Sequence, residues 1–163
     1  MSFKRSKNLG DIAEQLLIQE LKQRKYVLDV GLNEDKSKRY EYDVWADVVN
    51  NEGFDAVRKI VTFEIKYDLC ASKSGNWAIE YWNSKKNQPS GIMATKADWW
   101  VHVVNEESEP VLYLATVVEL KAFLDKNKPF RTISSGGDNN ADLYLYKQED
   151  IQPVFSLLSD LDL

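Results

Sequence analysis

Two carboxylates and a lysine in the middle of the chain have the types and spacing of a hydrolytic site. Glu64 and Lys66 are two positions apart in the apolar run 60–67, and side chains two positions apart share one face of a β-strand. Asp43 lies in an earlier aromatic and β-branched run, so an antiparallel hairpin would bring it beside Glu64. Neighbouring carboxylates bind Mg²⁺, a hard cation that takes oxygen ligands.

Such a cation polarises a phosphoryl oxygen and lowers the pKa of a bound water. A neighbouring lysine orients that water or stabilises the negative charge that develops on the phosphate. Glu-x-Lys also occurs at 20–22 and at 34–36, but only Glu64 and Lys66 lie inside an apolar strand pattern, where charges are costly unless partnered. The residues therefore indicate phosphodiester hydrolysis. The alternative that they leave open is a cross-strand ion pair on a half-exposed strand, which contributes little to stability.

A helix and two strands must position these groups. Leu and Ile recur at the helical period over 8–25, which predicts a helix with Asn8 as its N-cap. Glu14 lies at the flank of the apolar stripe and Glu20 nearer its centre, so periodicity alone does not choose between them as a site residue. Strands are predicted at 26–30, 40–49 and 59–68, with a turn at 50–53.

The rest of the chain continues to alternate between strand patterns and helix patterns. Strands are predicted at 77–82, 99–104, 111–114 and 143–146, and helices at 91–97, 116–126 and 149–158. This order describes a mixed α/β domain. A length of 163 residues suits one domain.

Charge is divided unevenly along the chain. The formal net charge is −5, yet residues 1–100 carry 16 basic and 15 acidic side chains, and residues 101–163 carry 5 and 11. A phosphate-binding face therefore fits on the first hundred residues, and the acidic C-terminal third could dock a protein partner. Several polar residues close to the site in sequence are candidate phosphate contacts: Lys73, Lys85, Lys86, Ser90 and Lys96.

Composition excludes several classes of protein. A single cysteine excludes a disulfide framework and a cysteine-based zinc cluster, and Cys70 is expected to be a buried, inert thiol. His102, alone between apolar neighbours, is expected to be structural. No apolar run approaches the roughly 18 residues of a membrane span, and the first residues lack the apolar segment of a secretory signal. We therefore expect a soluble, cytoplasmic protein that does not contact membranes.

The segments 10–14, 42–43 and 63–66, which read GDIAE, YD and FEIK, resemble the motifs of the PD-(D/E)XK nuclease superfamily. Within it they are similar to the Holliday-junction-resolvase-like and small phage-type endonuclease branches, although Tyr42 stands where the family name has proline. The resemblance implies an α/β fold with a restriction-endonuclease-like core, a mixed β-sheet flanked by helices. It divides the single domain 1–163 into a core at about 8–104 and a C-terminal α/β extension at about 105–163.

The resemblance also implies roles for individual residues. Asp43 and Glu64 would be ligands of Mg²⁺ or Mn²⁺, Lys66 the catalytic lysine, and Glu14 an accessory metal ligand or a base-side carboxylate. The activity implied is that of a metal-dependent endodeoxyribonuclease, which leaves 5′-phosphate and 3′-hydroxyl ends. Symmetric cutting of two strands would favour a homodimer, with the apolar stretches 99–104 or 154–163 as its interface. The alternative function is a non-catalytic DNA- or protein-binding module on the same fold, and a nuclease acting on RNA is a third possibility.

Overall fold

Ten strands form two sheets in the computed structural model, which describes residues 3–35, 37, 41–50, 57–134 and 140–160. The helices and strands are α1 (Phe3–Lys22), β1 (Val27–Leu32), β2 (Val44–Asn50), β3 (Val57–Asp68), α2 (Ala71–Ser74), β4 (Asn76–Asn83), β5 (Gln88–Pro89), β6 (Trp99–Glu106), β7 (Glu109–Thr116), α3 (Val117–Lys126), β8 (Arg131–Ser134), β9 (Ala141–Lys147), α4 (Gln148–Ile151) and β10 (Ser156–Leu157). Single 3₁₀ turns occur at Gly91–Met93, Gln152–Val154 and Leu158–Asp160. Among these residues, no helix combines the length and hydrophobicity that crossing a membrane requires.

The larger sheet is mixed and has the strand order β1-β2-β3-β6-β7-β10. Its two central strands, β3 and β6, run parallel, and all other neighbours are antiparallel. The smaller sheet is antiparallel, in the order β5-β4-β9-β8. Helix α1 packs on one face of the larger sheet, and α3 and the smaller sheet cover the other. The predicted α/β fold, with a mixed sheet flanked by helices, is confirmed.

Strand alternation separates the core from the charged residues of β3. Phe63 and Ile65 are buried in the core that α1 covers, together with Leu17 and Leu21. Because successive side chains of a strand point to opposite faces, Glu64 and the two charged residues that follow it at 66 and 68 lie on the face toward the smaller sheet.

Two predictions about helix starts were wrong. Helix α1 begins at Phe3, so Asn8 lies within it and does not cap it. The helix predicted at 91–97 is only the 3₁₀ turn Gly91–Met93, and the Ser90 side chain makes no capping hydrogen bond there.

The predictions for the C-terminal residues also need correction. The helix predicted at 149–158 is interrupted at Pro153, which lacks an N–H donor, and becomes α4, a 3₁₀ turn and β10.

The stretch 99–104, one of the two proposed dimer interfaces, lies in β6 between two neighbouring strands, and 100–104 are buried, so it is not available as a dimer interface. In the other proposed stretch, Phe155 and Leu158 are buried in the core. The residues predicted to form the turn after Asn50 lie outside the described residues.

One buried carboxylate joins the two sheets at the end of β3. Asp68 Oδ1 accepts hydrogen bonds from the backbone N–H groups of Cys70 at 3.0 Å and Ala71 at 3.1 Å. Its Oδ2 accepts from the N–H of Ala78 in β4 at 2.8 Å, and His102 Nε2 of β6 lies 3.4 Å away. Burial acts to raise the pKa of Asp68, but the His102 imidazole and the backbone donors outweigh burial and hold the pKa below its usual value. The charged carboxylate is therefore part of the fold.

We expect Asp68→Asn to lower the free energy of unfolding at neutral pH by about 3 kcal/mol, because the amide has one acceptor oxygen where the carboxylate has two, so a buried donor is left without its acceptor and the negative charge is lost. The pKa of Asp68 is lower in the folded state than in the unfolded state. Its contribution is therefore present above about pH 4 and is lost as the pH falls through the folded-state pKa. Urea unfolding at a series of pH values measures both effects, with the exposed Asp125→Asn as control. An acid loss of equal size in wild type and Asp68→Asn would contradict this account.

Candidate active site

The hairpin of β2 and β3 places Asp43 and Glu64 together. The backbone N–H of Asp43 donates to the Phe63 carbonyl oxygen at 2.8 Å, just before β2 begins. Its side-chain Oδ2 accepts from the Ile65 N–H at 2.8 Å. Val44 pairs with Phe63 in the antiparallel ladder. The next pair of positions along the two segments is therefore Asp43 and Glu64, which lie side by side. Backbone hydrogen bonds therefore set the separation of the two carboxylates.

An ion pair links the other two predicted residues of β3. Lys66 Nζ lies 2.7 Å from Glu64 Oε1, with the Glu64 side chain 8% exposed and the Lys66 side chain 31% exposed. On the far side, the Thr95 hydroxyl lies 3.4 Å from Glu64 Oε2. The Lys66 ammonium also lies 6.0 Å from the centre of the Trp100 ring. Lys66 is thus the partly exposed partner of a buried carboxylate.

Burial raises the pKa of both Asp43 and Glu64. Lys66 opposes this rise in both cases, whereas the charge of Glu14 adds to it at Asp43, and the charges of Asp43 and Glu80 add to it at Glu64. At Lys66, burial disfavours the ammonium, but Glu64, Glu80 and Asp43 together raise its pKa above the ordinary value. Lys66 is therefore a charged hydrogen-bond donor at neutral pH and does not accept a proton.

The helix directs Glu14, and not Glu20, toward this site. Ala13, Leu17 and Leu21 are fully buried against the larger sheet. This orientation leaves Glu14 half-buried and Glu20 exposed. The charge of Glu14 adds to the rise in the pKa of Asp43, which agrees with the choice of Glu14 that the resemblance implies; its role as a site residue stays a prediction.

Glu80 of β4 is a further carboxylate at this site, and it is not among the residues predicted from the sequence. Its charge raises the pKa of Glu64 and Lys66, and Glu80 and Lys66 line the same cleft. The pairing register of β4 with β9 shifts between Glu80 and Trp82, a β-bulge of the kind often found beside active sites. The signal that could have identified Glu80 is the one used for Glu64, a single charge in an apolar strand.

The backbone of Gly91 packs closely against the backbone of Glu80. Gly91 has a φ of +50°, and a Cβ atom at this position would lie 2.3 Å from the Glu80 carbonyl oxygen. The next residue, Ile92, is fully buried. The 3₁₀ turn therefore packs directly against the strand that carries Glu80.

Four of the five predicted phosphate contacts are exposed lysines: Lys73, Lys85, Lys86 and Lys96. Lys96 Nζ forms an ion pair with Glu41 Oε1 at 2.7 Å. Ser90 differs, because its hydroxyl oxygen is buried and its backbone N–H donates to the Tyr81 carbonyl oxygen at 3.1 Å. Lys73, Lys85 and Lys86 are thus exposed to solvent, whereas Lys96 is paired with Glu41 and the polar groups of Ser90 are not open to a phosphate.

The lone histidine and the lone cysteine have different surroundings. His102 is fully buried and stacks on Trp77 with 4.6 Å between ring centres. Cys70 is exposed and lines the cleft beside Lys66, so the expectation that it is buried was wrong. It lies in the turn between β3 and α2, where the chain leaves the core.

The carboxylates suit a hard divalent cation with few protein ligands. Burial makes Asp43 and Glu64 hold their protons more tightly, and a cation that replaces those protons relieves the cost of two nearby negative charges. Within the described ranges, no group of three or more His, Cys, Asp and Glu side chains is arranged to hold a metal ion. Mg²⁺ is commonly bound by one or two carboxylates and keeps several waters, so this donor set fits it.

Comparison with known proteins gives only weak structural similarity, and no match to a protein-family model or to a curated protein. The fold is similar to a solved structure of a nuclease from a fusselovirus, with a TM-score of 0.37 and 10% sequence identity over 94% of this chain and 92% of that chain. A similarity of this size says nothing about activity, so the function proposed below depends on the residues of the site.

We expect Asp43→Asn to raise the free energy of unfolding at pH 7, without divalent cations, by about 0.5–2 kcal/mol. The pKa values of Asp43 and Glu64 are higher in the folded than in the unfolded state, so stability falls as the pH rises from the unfolded-state toward the folded-state values. Thermal unfolding with and without Mg²⁺ tests this. Mg²⁺ should raise the Tm of the wild type and of the control Asp125→Asn, but not that of Asp43→Asn. An equal Mg²⁺ effect in all three proteins would argue against this metal site.

We expect Gly91→Ala to destabilise the protein by about 3 kcal/mol, from left-handed backbone strain and the contact with Glu80. Gly75 has a φ of +67° but open space around its Cβ position, so Gly75→Ala should cost only about 1–2 kcal/mol. Chemical denaturation of both variants separates the contact from the strain. Equal losses would show that the contact with Glu80 is unimportant.

Proposed function

We propose that this chain is a metal-dependent endodeoxyribonuclease that hydrolyses DNA phosphodiester bonds at Asp43, Glu64 and Lys66. The observation that carries the proposal is the 2.7 Å ion pair between Lys66 and the buried Glu64, with a second carboxylate, Asp43, beside it just before the start of the neighbouring strand. A structural ion pair would not require Asp43, whose charge raises the pKa of Glu64. Two carboxylates that repel each other next to a lysine indicate a binding site for a cation and a phosphate.

Each residue has a distinct part in the proposed reaction. Asp43 and Glu64 would hold Mg²⁺ or Mn²⁺, with Glu14 as an accessory carboxylate. When bound, such an ion polarises a phosphoryl oxygen and lowers the pKa of a water molecule. Lys66, charged at neutral pH, would donate a hydrogen bond to the phosphate and stabilise the charge that develops on it. The proposed products carry 5′-phosphate and 3′-hydroxyl ends.

Exposed lysines that follow the site residues in the sequence would contact DNA as the substrate. Lys73 on α2 and the lysines at 85 and 86, between β4 and β5, are exposed and would contact phosphates beyond the cleaved bond. A homodimer and a protein partner on the acidic residues 101–163 remain secondary parts of this proposal.

We expect Lys66→Ala and Asp43→Asn each to reduce metal-dependent DNA cleavage at least about 100-fold, because each removes a group that acts on the transition state. Labelled linear duplex, single strand and four-way junction serve as substrates, with Mg²⁺, Mn²⁺ or EDTA. Lys22→Ala is the matched control, since Lys22 belongs to another Glu-x-Lys and is exposed at the end of α1. Asp125→Asn is the control for the aspartate. Both should cut like the wild type.

Far-UV circular dichroism and thermal unfolding would establish that the variants are folded. Cleavage near the wild-type level in both site variants would reject this assignment. Salt-sensitive DNA binding without any cleavage by the wild type would instead favour a non-catalytic binding module on the same fold.

A further inference from the structure

A cleft of about 570 Å³ opens beside Lys66. Helices α1 and α2, strands β3 and β4, and strands β8 and β9 of the smaller sheet contribute to its walls. Most of the side chains that line it are apolar, among them Leu9, Leu69, Ala78, Ile133, Leu143 and Leu145. Lys66 and Glu80 line the same space, so the cleft is continuous with the site of the proposed reaction.

The alternation of side chains along β4 explains which residues face the cleft. Trp77 and Ile79 are fully buried in the core between the two sheets. Ala78 and Glu80 therefore point to the opposite face of the smaller sheet, which is the face that lines the cleft. The smaller sheet thus uses one face for the core and turns the other toward Lys66.

Three apolar side chains extend this second face across the smaller sheet. Leu145 pairs with Ala78, and Leu143 pairs with Glu80 in the ladder of β4 and β9. Ile133 of β8 continues the row next to Leu143. All three are half-buried and lie outside both hydrophobic cores. A row of partly exposed apolar side chains beside a reaction site is typical of a place where a ligand binds.

We propose that this cleft binds an unpaired nucleotide, and that the substrate class is DNA with unpaired bases next to the cleaved bond. This inference rests on the proposed function, which places the phosphate at Lys66. In a duplex the apolar faces of the bases are stacked inside, and only phosphates and polar base edges face outward. An unpaired base exposes its faces and can enter an apolar pocket.

The size and the polar groups of the cleft agree with such an occupant. Its volume lies within the roughly 300–1,000 Å³ that is usual for small-molecule sites. The carboxylate of Glu80 can accept a hydrogen bond from an amino group of a base, as acidic side chains do from cytosine. Lys66 can meanwhile contact the phosphate of the same nucleotide, so the cleft matches both its apolar and its charged part.

The lone cysteine provides a direct test. Cys70 is exposed, lines the cleft and is the only cysteine of the chain. Its rate of reaction with a small maleimide would be measured in EDTA, where no metal-dependent cleavage occurs. A single-stranded oligonucleotide at about ten times its Kd should slow labelling about tenfold. A duplex of the same sequence, at the same multiple of its own Kd, should leave the rate unchanged.

Two variants test the cleft by an independent readout. We expect Leu145→Asn to weaken single-strand binding, measured by fluorescence anisotropy, about tenfold, and to leave duplex binding unchanged. Labelling Cys70 with a bulky maleimide should have the same effect, and Cys70→Ser treated in the same way should bind normally. Circular dichroism of each protein excludes a loss of fold.

The outcomes separate this inference from the proposed function. If duplex is cut and the single strand neither protects Cys70 nor binds more weakly to Leu145→Asn, the inference about the cleft is wrong, although the nuclease proposal stands. If the single strand protects Cys70 but no substrate is cut with Mg²⁺ or Mn²⁺, the cleft binds unpaired nucleotides and the proposed catalytic function is wrong. If neither form of DNA binds, both proposals are wrong.

Discussion

The carboxylate of Asp68 is the interaction on which the rest of the structure depends. It holds the end of β3, the start of α2 and the middle of β4 through backbone hydrogen bonds, and it faces the buried His102 of β6. Lys66 lies two residues earlier on the same face of β3. The hydrogen bonds that join the sheets therefore also set the distance from Lys66 to the smaller sheet, and hence the width of the cleft.

The carboxylates of the site lower the stability of the folded protein. Burial raises the pKa of Asp43 and Glu64, so their charged forms are less favourable in the folded state than in the unfolded state. Lys66 offsets part of this cost, and the apolar core beneath β3, where Phe63 and Ile65 pack against α1, holds the strand in place. Residues that lower stability but lie on a rigid element are typical of functional sites.

Sequence reasoning located the parts of the site that depend on local pattern. Asp43, Glu64 and Lys66 come together because strand alternation and one hairpin suffice to align them. The contribution of α1 needed the packed structure, since Glu14 and Glu20 both lie near the apolar stripe. Glu80 carries the same signal as Glu64, a single charge in an apolar strand. That signal does not show that Glu80 reaches the site from the other sheet, because sheet pairing between distant segments leaves no periodic trace in the sequence.

The path of the chain between the parallel strands β3 and β6 has a consequence for the order of assembly. This connection contains β4, whose partner β9 and the next strand, β8, come from residues 131–147. During synthesis the ribosome releases the residues at 14, 43, 64 and 66 long before those strands. The wall of the cleft formed by β8 and β9 can be added only after they emerge, and such long-range pairing is slow. The cleft is therefore complete only after the late strands have been made, although the hairpin that carries Asp43, Glu64 and Lys66 is made early.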